Sequence, residues 1–210
     1  SYRPEGSMTC VNNNTSGNGV WTLCVTDGFG GDVGFMNSWN LSFGNTGIPC
    51  TNPTANDNCL AATPICNLNG YCGSTSSCYT ASQVPAGFCG SVENNSWLSF
   101  VASATSATFN ITVGNCLNSQ GIQMEVYSTT NCVSFTSFSN CWNPGVETNG
   151  TITATPLTIG NTYYLMIDGY AGDVCDYSIA ATSGVLTVSI TASASTICAG
   201  QSTTLTANAT

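Results

Sequence analysis

Short runs of alternating apolar and polar residues, separated by Gly, Asn and Ser, dominate this chain and confine it to β structure. In residues 108–113 (TFNITV) Phe109, Ile111 and Val113 share one face, and in 38–43 (SWNLSF) Trp39, Leu41 and Phe43 do the same. Residues 20–26 alternate too, and similar segments recur at 96–101, 123–127, 151–154, 163–167, 177–181 and 186–192. A strand repeats every two residues, so each run has one face to bury and one to leave wet. No window of ten or more residues carries a capped 3.6-residue period. The expected fold class is all-β: tandem antiparallel β-sandwich domains of jelly-roll or Ig-like type, stapled by disulfides.

The disulfide part of that expectation rests on thirteen Cys in 210 residues. Reducing compartments rarely tolerate so many unless they ligate metal, and this sequence has no CxxC pair. A secreted or surface-exposed protein is expected. Cys10 and Cys24 bracket a Gly/Asn-rich turn and should pair. Ten Cys run from Cys50 to Cys175, where Cys132–Cys141 should close a short hairpin and Cys59–Cys175 could tie the first strand to the last. Cys198 is left over, and its partner is expected beyond Thr210.

Charge narrows the function. The chain has one cation, Arg3, ten Asp or Glu, no His and a net charge of −9. Nucleic-acid binding needs a basic stripe to displace counterions from phosphate, so it is excluded. Without His, the Ser-His-Asp and Cys-His systems are unavailable. No run of about 20 apolar residues could insert into a membrane as a helix. The N-terminus, SYRPEGSMTC, lacks the apolar core of a signal peptide, so a mature chain or an internal fragment is expected.

Three pieces follow from turn-rich breaks: 1–45, 46–183 and 184–210, the last holding two strands, too few to bury a core alone. In the first piece, GVWTLCVTDGFGGDVGFMNSWNLSFG (19–44) resembles the C-terminal half of the P domain of proprotein convertases. That family implies a jelly-roll sandwich that accompanies secreted proteases and performs no chemistry. In the second, NDNCLAATPIC (56–66), NNSWLSFVASATSATFNITVGNC (94–116) and GNTYYLMIDGYAGDVCDYSIAA (160–181) resemble the Cys-rich β-sandwich repeats of large bacterial surface adhesins exported by the type 9 secretion system. The last segment is also similar to bacterial pre-peptidase C-terminal domains. The third, ITASASTICAGQSTTLTANAT (190–210), resembles the opening of PKD-like or Ig-like repeats.

One motif stands independently of these likenesses. WTLCVTDGFGGDV (21–33) is echoed by YLMIDGYAGDV (164–174), both ending in D-G-aromatic-x-G-D-V. Carboxylates five apart across Gly could turn toward one hard cation, so Asp27 with Asp32 and Asp168 with Asp173 are candidate Ca²⁺ ligands. Asp57 and Asp176 could add to them. The alternative is a tight Asp-Gly turn closed by an Asx turn, with no ion. Paired carboxylates for glycoside hydrolysis would need one acid buried. All six Asp are expected in solvated loops, Glu93 and Glu147 are scattered, and Glu125 is expected on a wet strand face, so no catalytic residue is assigned.

Trp21, Trp39 and Trp97 have the parity of core residues, whereas Trp142, Tyr170 and Phe29 are candidates for stacking on sugar rings or for shielding disulfides. Asn-x-Ser/Thr sequons at Asn13, Asn14, Asn40, Asn94, Asn110, Asn149 and Asn208 matter only in a glycosylating host. TITAT (151–155) is too short a Thr row to imply an ice-binding surface. Together these readings and resemblances imply a non-catalytic fragment of an extracellular, cell-surface adhesin or filament. Its expected partners are a surface polysaccharide or other cell-surface ligand, neighbouring domains of the chain and the secretion machinery. The alternative is an accessory or carbohydrate-binding module of a secreted hydrolase or protease.

Overall fold

The computed structural model describes residues 55–76, 79–194, 196–198 and 201–210. Asp27, Asp32, Phe29, Trp21, Trp39 and the expected Cys10–Cys24 pair lie outside the described residues. Within them the chain is strand and loop, with two single 3₁₀ turns. Strands β1 (Thr63–Pro64), β3 (Ser96–Val101), β8 (Thr162–Gly169), β5 (Ile122–Ser128) and β6 (Thr136–Ser137) lie side by side in that order as one sheet. Strands β2 (Tyr71–Ser74), β9 (Asp176–Ser183), β4 (Ala107–Gly114) and β7 (Gly150–Ala154) form a second. All pairings are antiparallel except β1 with β3.

The two sheets close on a common core, as alternation requires. Leu98, Phe100, Met124, Leu165 and Ile167 of the first meet Phe109, Ile111, Ile152, Tyr177 and Ile179 of the second. Phe100 sits edge-on to Phe109, with ring centroids 5.0 Å apart. Each such side chain, fully removed from water, contributes about 1.5–3 kcal/mol. The architecture is the disulfide-stapled β-sandwich that the alternation and the Cys content predicted.

Its departure from expectation lies on the outer face of the five-stranded sheet. Trp97, Tyr127 and Met166 point there by parity, yet all three are buried with Cys59 and Cys132 in a second cluster, and Phe135 stacks on Trp97 at 5.3 Å. Trp97 is therefore a core residue of the outer layer rather than of the sandwich interior. The same cover buries Glu125, expected to be wet: it is 7% exposed and accepts from the hydroxyls of Tyr127, at 2.7 Å, and Ser137. Burial, with the Glu125 carboxylate beside it, pushes the Tyr127 phenol well above its ordinary range.

The bridges are Cys59–Cys132, Cys89–Cys141 and Cys116–Cys175, which corrects both pairings expected within this piece. Cys175 packs in the sandwich core while Cys59 belongs to the outer cluster, so proximity joins each to a partner in its own layer. Cys72 is also disulfide-bonded, and Cys66 and Cys198 are free and exposed. With sequence separations of 73, 52 and 59, each bridge closes a loop worth about 4 kcal/mol on the chain-entropy account. Such bridges mark a chain that folds in an oxidising, extracytoplasmic environment. Among the described residues no helix is long and apolar enough to cross a membrane.

Beyond the sandwich, β10 (Val188–Ala192) and β11 (Leu205–Ala209) pair antiparallel as a separate two-stranded sheet. It is anchored where the Val188 amide donates to the Cys66 carbonyl at 2.8 Å.

Candidate functional site

The acidic loop that follows β8 folds by a different logic from a cation cage. Asp168 and Asp173 are both fully buried, against the expectation of solvated loop carboxylates. Asp168 closes β8 on its outer face. Its Oδ1 accepts from the Glu93 and Asn94 amides at 3.2 and 2.9 Å, and its Oδ2 from the Gln123 side-chain amide at 2.7 Å. Asp173 does more: Oδ1 accepts from the Asn118 and Val174 amides, both at 2.9 Å, and Oδ2 from those of Gln120 and Gly121 at 2.8 and 3.3 Å. Each carboxylate thus organises a neighbouring loop, 91–94 for Asp168 and 118–121 for Asp173.

The glycines of the motif have a steric reason. A Cβ on Gly169 would lie 1.9 Å from the Asp173 carbonyl oxygen, because the loop folds back over that residue. Ala171 and Gly172 take the left-handed backbone conformation, at φ 50° and 78°, which completes the reversal. Asn94 and Thr75 latch the loop from outside. Asn94 accepts from the Gly169 amide and donates to the Thr75 carbonyl, while the Thr75 hydroxyl donates to the Asp173 carbonyl.

These contacts bear on the metal question for Asp168 and Asp173. A carboxylate has about four lone-pair sites, and calcium asks for six to eight oxygens free to face it. Asp173 spends all four on N–H donors and Asp168 three, so the residues present do not fit calcium. A cluster of Cys116, Asp173 and Cys175 atoms lies nearby, but the two sulfurs form a disulfide and offer no thiolate. The arrangement binds negative charge to backbone N–H groups and serves to hold loops. Asp57 and Asp176 are placed elsewhere, with Asp57 accepting from Thr80 and Asp176 from Asn115.

Burial nonetheless pushes the Asp168 carboxyl up from an ordinary 3.8 to about 6, with Gln123 and the Asn94 and Glu93 amides pulling it back down. Asp168 and Glu125 lie diagonally across β8 and β5 on one sheet face. Both are buried, Asp168 fully and Glu125 nearly so.

The outer face of β4, β7 and β9 in the four-stranded sheet carries mainly uncharged side chains, with Asp176 at one end, while at β2 the same face is covered, Cys72 and Ser74 being buried. Thr108, Asn110 and Thr112 on β4, Thr151 and Thr153 on β7, and Ser178, Ala180 and Thr182 on β9 all point outward. They meet across strands: Thr108 with Thr153, hydroxyl oxygens 3.2 Å apart, and Thr151 donating to the Asn110 side-chain oxygen at 3.2 Å. The sheet brings together rows that the single TITAT segment could not form alone, spaced about 4.8 Å across strands and about 6.8 Å along them. At its β7 edge the segment 137–140 runs alongside, with the Thr155 amide donating to the Phe138 carbonyl at 2.7 Å. There Ser137, Phe138, Ser139, Asn140, Thr153 and Thr155 line a shallow, uncharged cleft. Trp142 and Tyr170, the stacking candidates, are each only half-buried, Trp142 resting against the core. Asn94 is buried and its amide engaged, which removes it as a glycosylation acceptor.

No family model matches the chain, and neither does any curated protein or solved structure. The fold and site define a class, an all-β disulfide-stapled sandwich with buried loop-organising aspartates and a largely uncharged hydroxyl face.

Proposed function

We propose that this chain is a non-catalytic module of an extracellular, cell-surface adhesin or filament, with a structural role and a neutral polysaccharide as its adhesive partner. The observation that carries the reading is the Ser/Thr/Asn face of β4, β7 and β9 with its adjoining cleft. Among the described residues only Asp176, at one end, brings a carboxylate to this surface, so the ligand it suits is uncharged and rich in hydroxyls. Individual contacts of this kind are weak, and a surface protein gains strength by repeating them. The disulfides serve the structural part, since each limits how far the module extends under load. The same surface would serve an accessory module of a secreted hydrolase, a reading that a catalytic domain on the same polypeptide would favour.

Co-sedimentation with insoluble neutral and anionic polysaccharides tests the adhesive reading. Binding to the neutral polymer, lost in Thr112→Glu and Thr153→Glu, is expected. Absence of binding to every neutral polymer, or retention in both variants, would overturn it.

A further inference from the structure

The connection from β2 to β3 lies across the outer face of the five-stranded sheet and is fastened there by a disulfide. Residues 83–92 hold no strand or helix. Their neck is closed by a reciprocal pair: the Ser82 amide donates to the Asn95 side-chain oxygen at 3.0 Å, and the Asn95 side-chain amide to the Ser82 carbonyl at 2.9 Å. At the tip Cys89 is bonded to Cys141, in the segment between β6 and β7. The result is an Ω-type loop with closed ends and a clasped tip.

The clasp holds the loop down on two buried groups. Phe88 and Val92, both half-buried, pack on the outer cluster that contains Trp97 and Met166. The backbone at 90–91 lies over Gln123, whose side-chain amide donates to the Ser91 carbonyl, and a Cβ on Gly90 would collide with the Gln123 Oε1. That oxygen is buried with no partner, a cost that water would relieve if the loop lifted. Among the described residues, 84–92 have two polar ties to the rest of the fold, from Gln123 to Ser91 and from the Asn143 amide to the Cys89 carbonyl at 3.3 Å. Once the clasp is cut, little else keeps the tip in place.

The three bridges also differ in access. Cys59, Cys132 and Cys175 are 0%, 2% and 0% exposed, whereas Cys89 is exposed and Cys141 half-buried. Exchange requires a thiolate to reach a sulfur, so access ranks the bridges.

We propose that Cys89–Cys141 is a redox-released clasp: a dithiol reductant opens it ahead of the other two bridges, and residues 83–92 then lift from Gln123 and Met166 while the sandwich stays folded. A thiolate of the reductant attacks Sγ of Cys89, whose bond to Cys141 breaks and leaves Cys141 as the thiolate. The second thiol of the reductant then displaces Cys89 from the mixed disulfide. Two electrons and two protons pass to the cysteine pair, and the dithiol becomes a cyclic disulfide. The Ser82–Asn95 neck and the strands lie outside the released segment, so the opening is local.

A dithiothreitol titration of the oxidised protein tests this, with Cys66 and Cys198 first blocked by N-ethylmaleimide and newly freed thiols labelled with iodoacetamide. Cys89 and Cys141 should be labelled at concentrations about tenfold below those that label Cys59 and Cys132 or Cys116 and Cys175. Loop release is read with chymotrypsin. Its cut after Phe88 should become about tenfold faster on reduction, and equally fast without reductant in the double variant Cys89→Ser, Cys141→Ser. Circular dichroism should show the reduced protein and the variant still folded. Labelling of either other bridge as early, a cut after Phe88 no faster in the reduced protein or the variant, or unfolding of the sandwich when the clasp is open each overturns the inference.

Discussion

Gln123 and Asp168 stand directly opposite each other on β5 and β8, and the Gln123 amide donates to the Asp168 carboxylate at 2.7 Å. The same amide nitrogen donates to the Ser91 carbonyl, while the amide oxygen of Gln123 is buried with no partner. A buried acid thus meets the one side chain beside it that can either donate or, by rotating its amide, accept.

That relationship predicts a pH dependence of stability. Because burial raises the Asp168 carboxyl to about 6 when folded, its proton binds more tightly in the folded chain than in the unfolded one. The resulting stabilisation is complete below about pH 4 and is lost as pH rises through 6, up to about 3 kcal/mol in all. Asp168→Asn carries no titrating proton, and Gln123 can turn its free oxygen toward the new amide. Denaturant melts of the two proteins should show the variant gaining on the wild type between pH 4 and 7, whereas a pH-independent difference would contradict the assignment.

Asp173 should behave in the opposite way. All its lone pairs accept N–H groups, so Asp173→Asn turns an amide donor toward the Gln120 and Gly121 amides, or toward those of Asn118 and Val174. A loss of about 2–4 kcal/mol at pH 7 is expected from the unsatisfied donors, measurable by chemical denaturation. Chelators and added calcium should leave the melting temperature of a protein truncated to the sandwich unchanged, since Asp173 has no lone pair to spare and Asp168 only one.

Gly169→Ala tests the steric account of the loop. Its Cβ would collide with the Asp173 backbone carbonyl at 1.9 Å, so the loop must open and release the Thr75 and Asn94 latches. A destabilisation of about 3 kcal/mol or more is expected, as for other overpacked sites. Gly160, which has open space around it, should lose less on the same change.

Peptide mapping without reduction should recover Cys59–Cys132, Cys89–Cys141 and Cys116–Cys175, and no Cys132–Cys141 peptide. Trypsin is of little use, since Arg3 is the only basic residue and precedes Pro4, so pepsin is the suitable protease. Replacing Cys116 and Cys175 together should cost about 2–5 kcal/mol, read from the shift in denaturant midpoint.

What the sequence determined by itself was local and periodic. Alternation alone located the strands at 96–101, 108–113, 123–127, 151–154, 163–167 and 177–181, because the period of two is a property of the backbone and needs no partner. The four-residue β2 and the two-residue β1 and β6 were too short to show a period, and their neighbours hold them in place. The D-G-Y-A-G-D motif was visible as a motif, but its chemistry was not. Whether a carboxylate faces water, a cation or amides depends on loops 91–94 and 118–121, which are distant in sequence. Tertiary packing also decided the disulfide partners, since these depend on which layer each Cys enters, and the burial of Glu125 and Trp97, since parity says that a side chain changes face but not whether that face is covered. The neutral hydroxyl surface belongs to both: its residues were legible one strand at a time, and only the β9-β4-β7 order assembled them into one face.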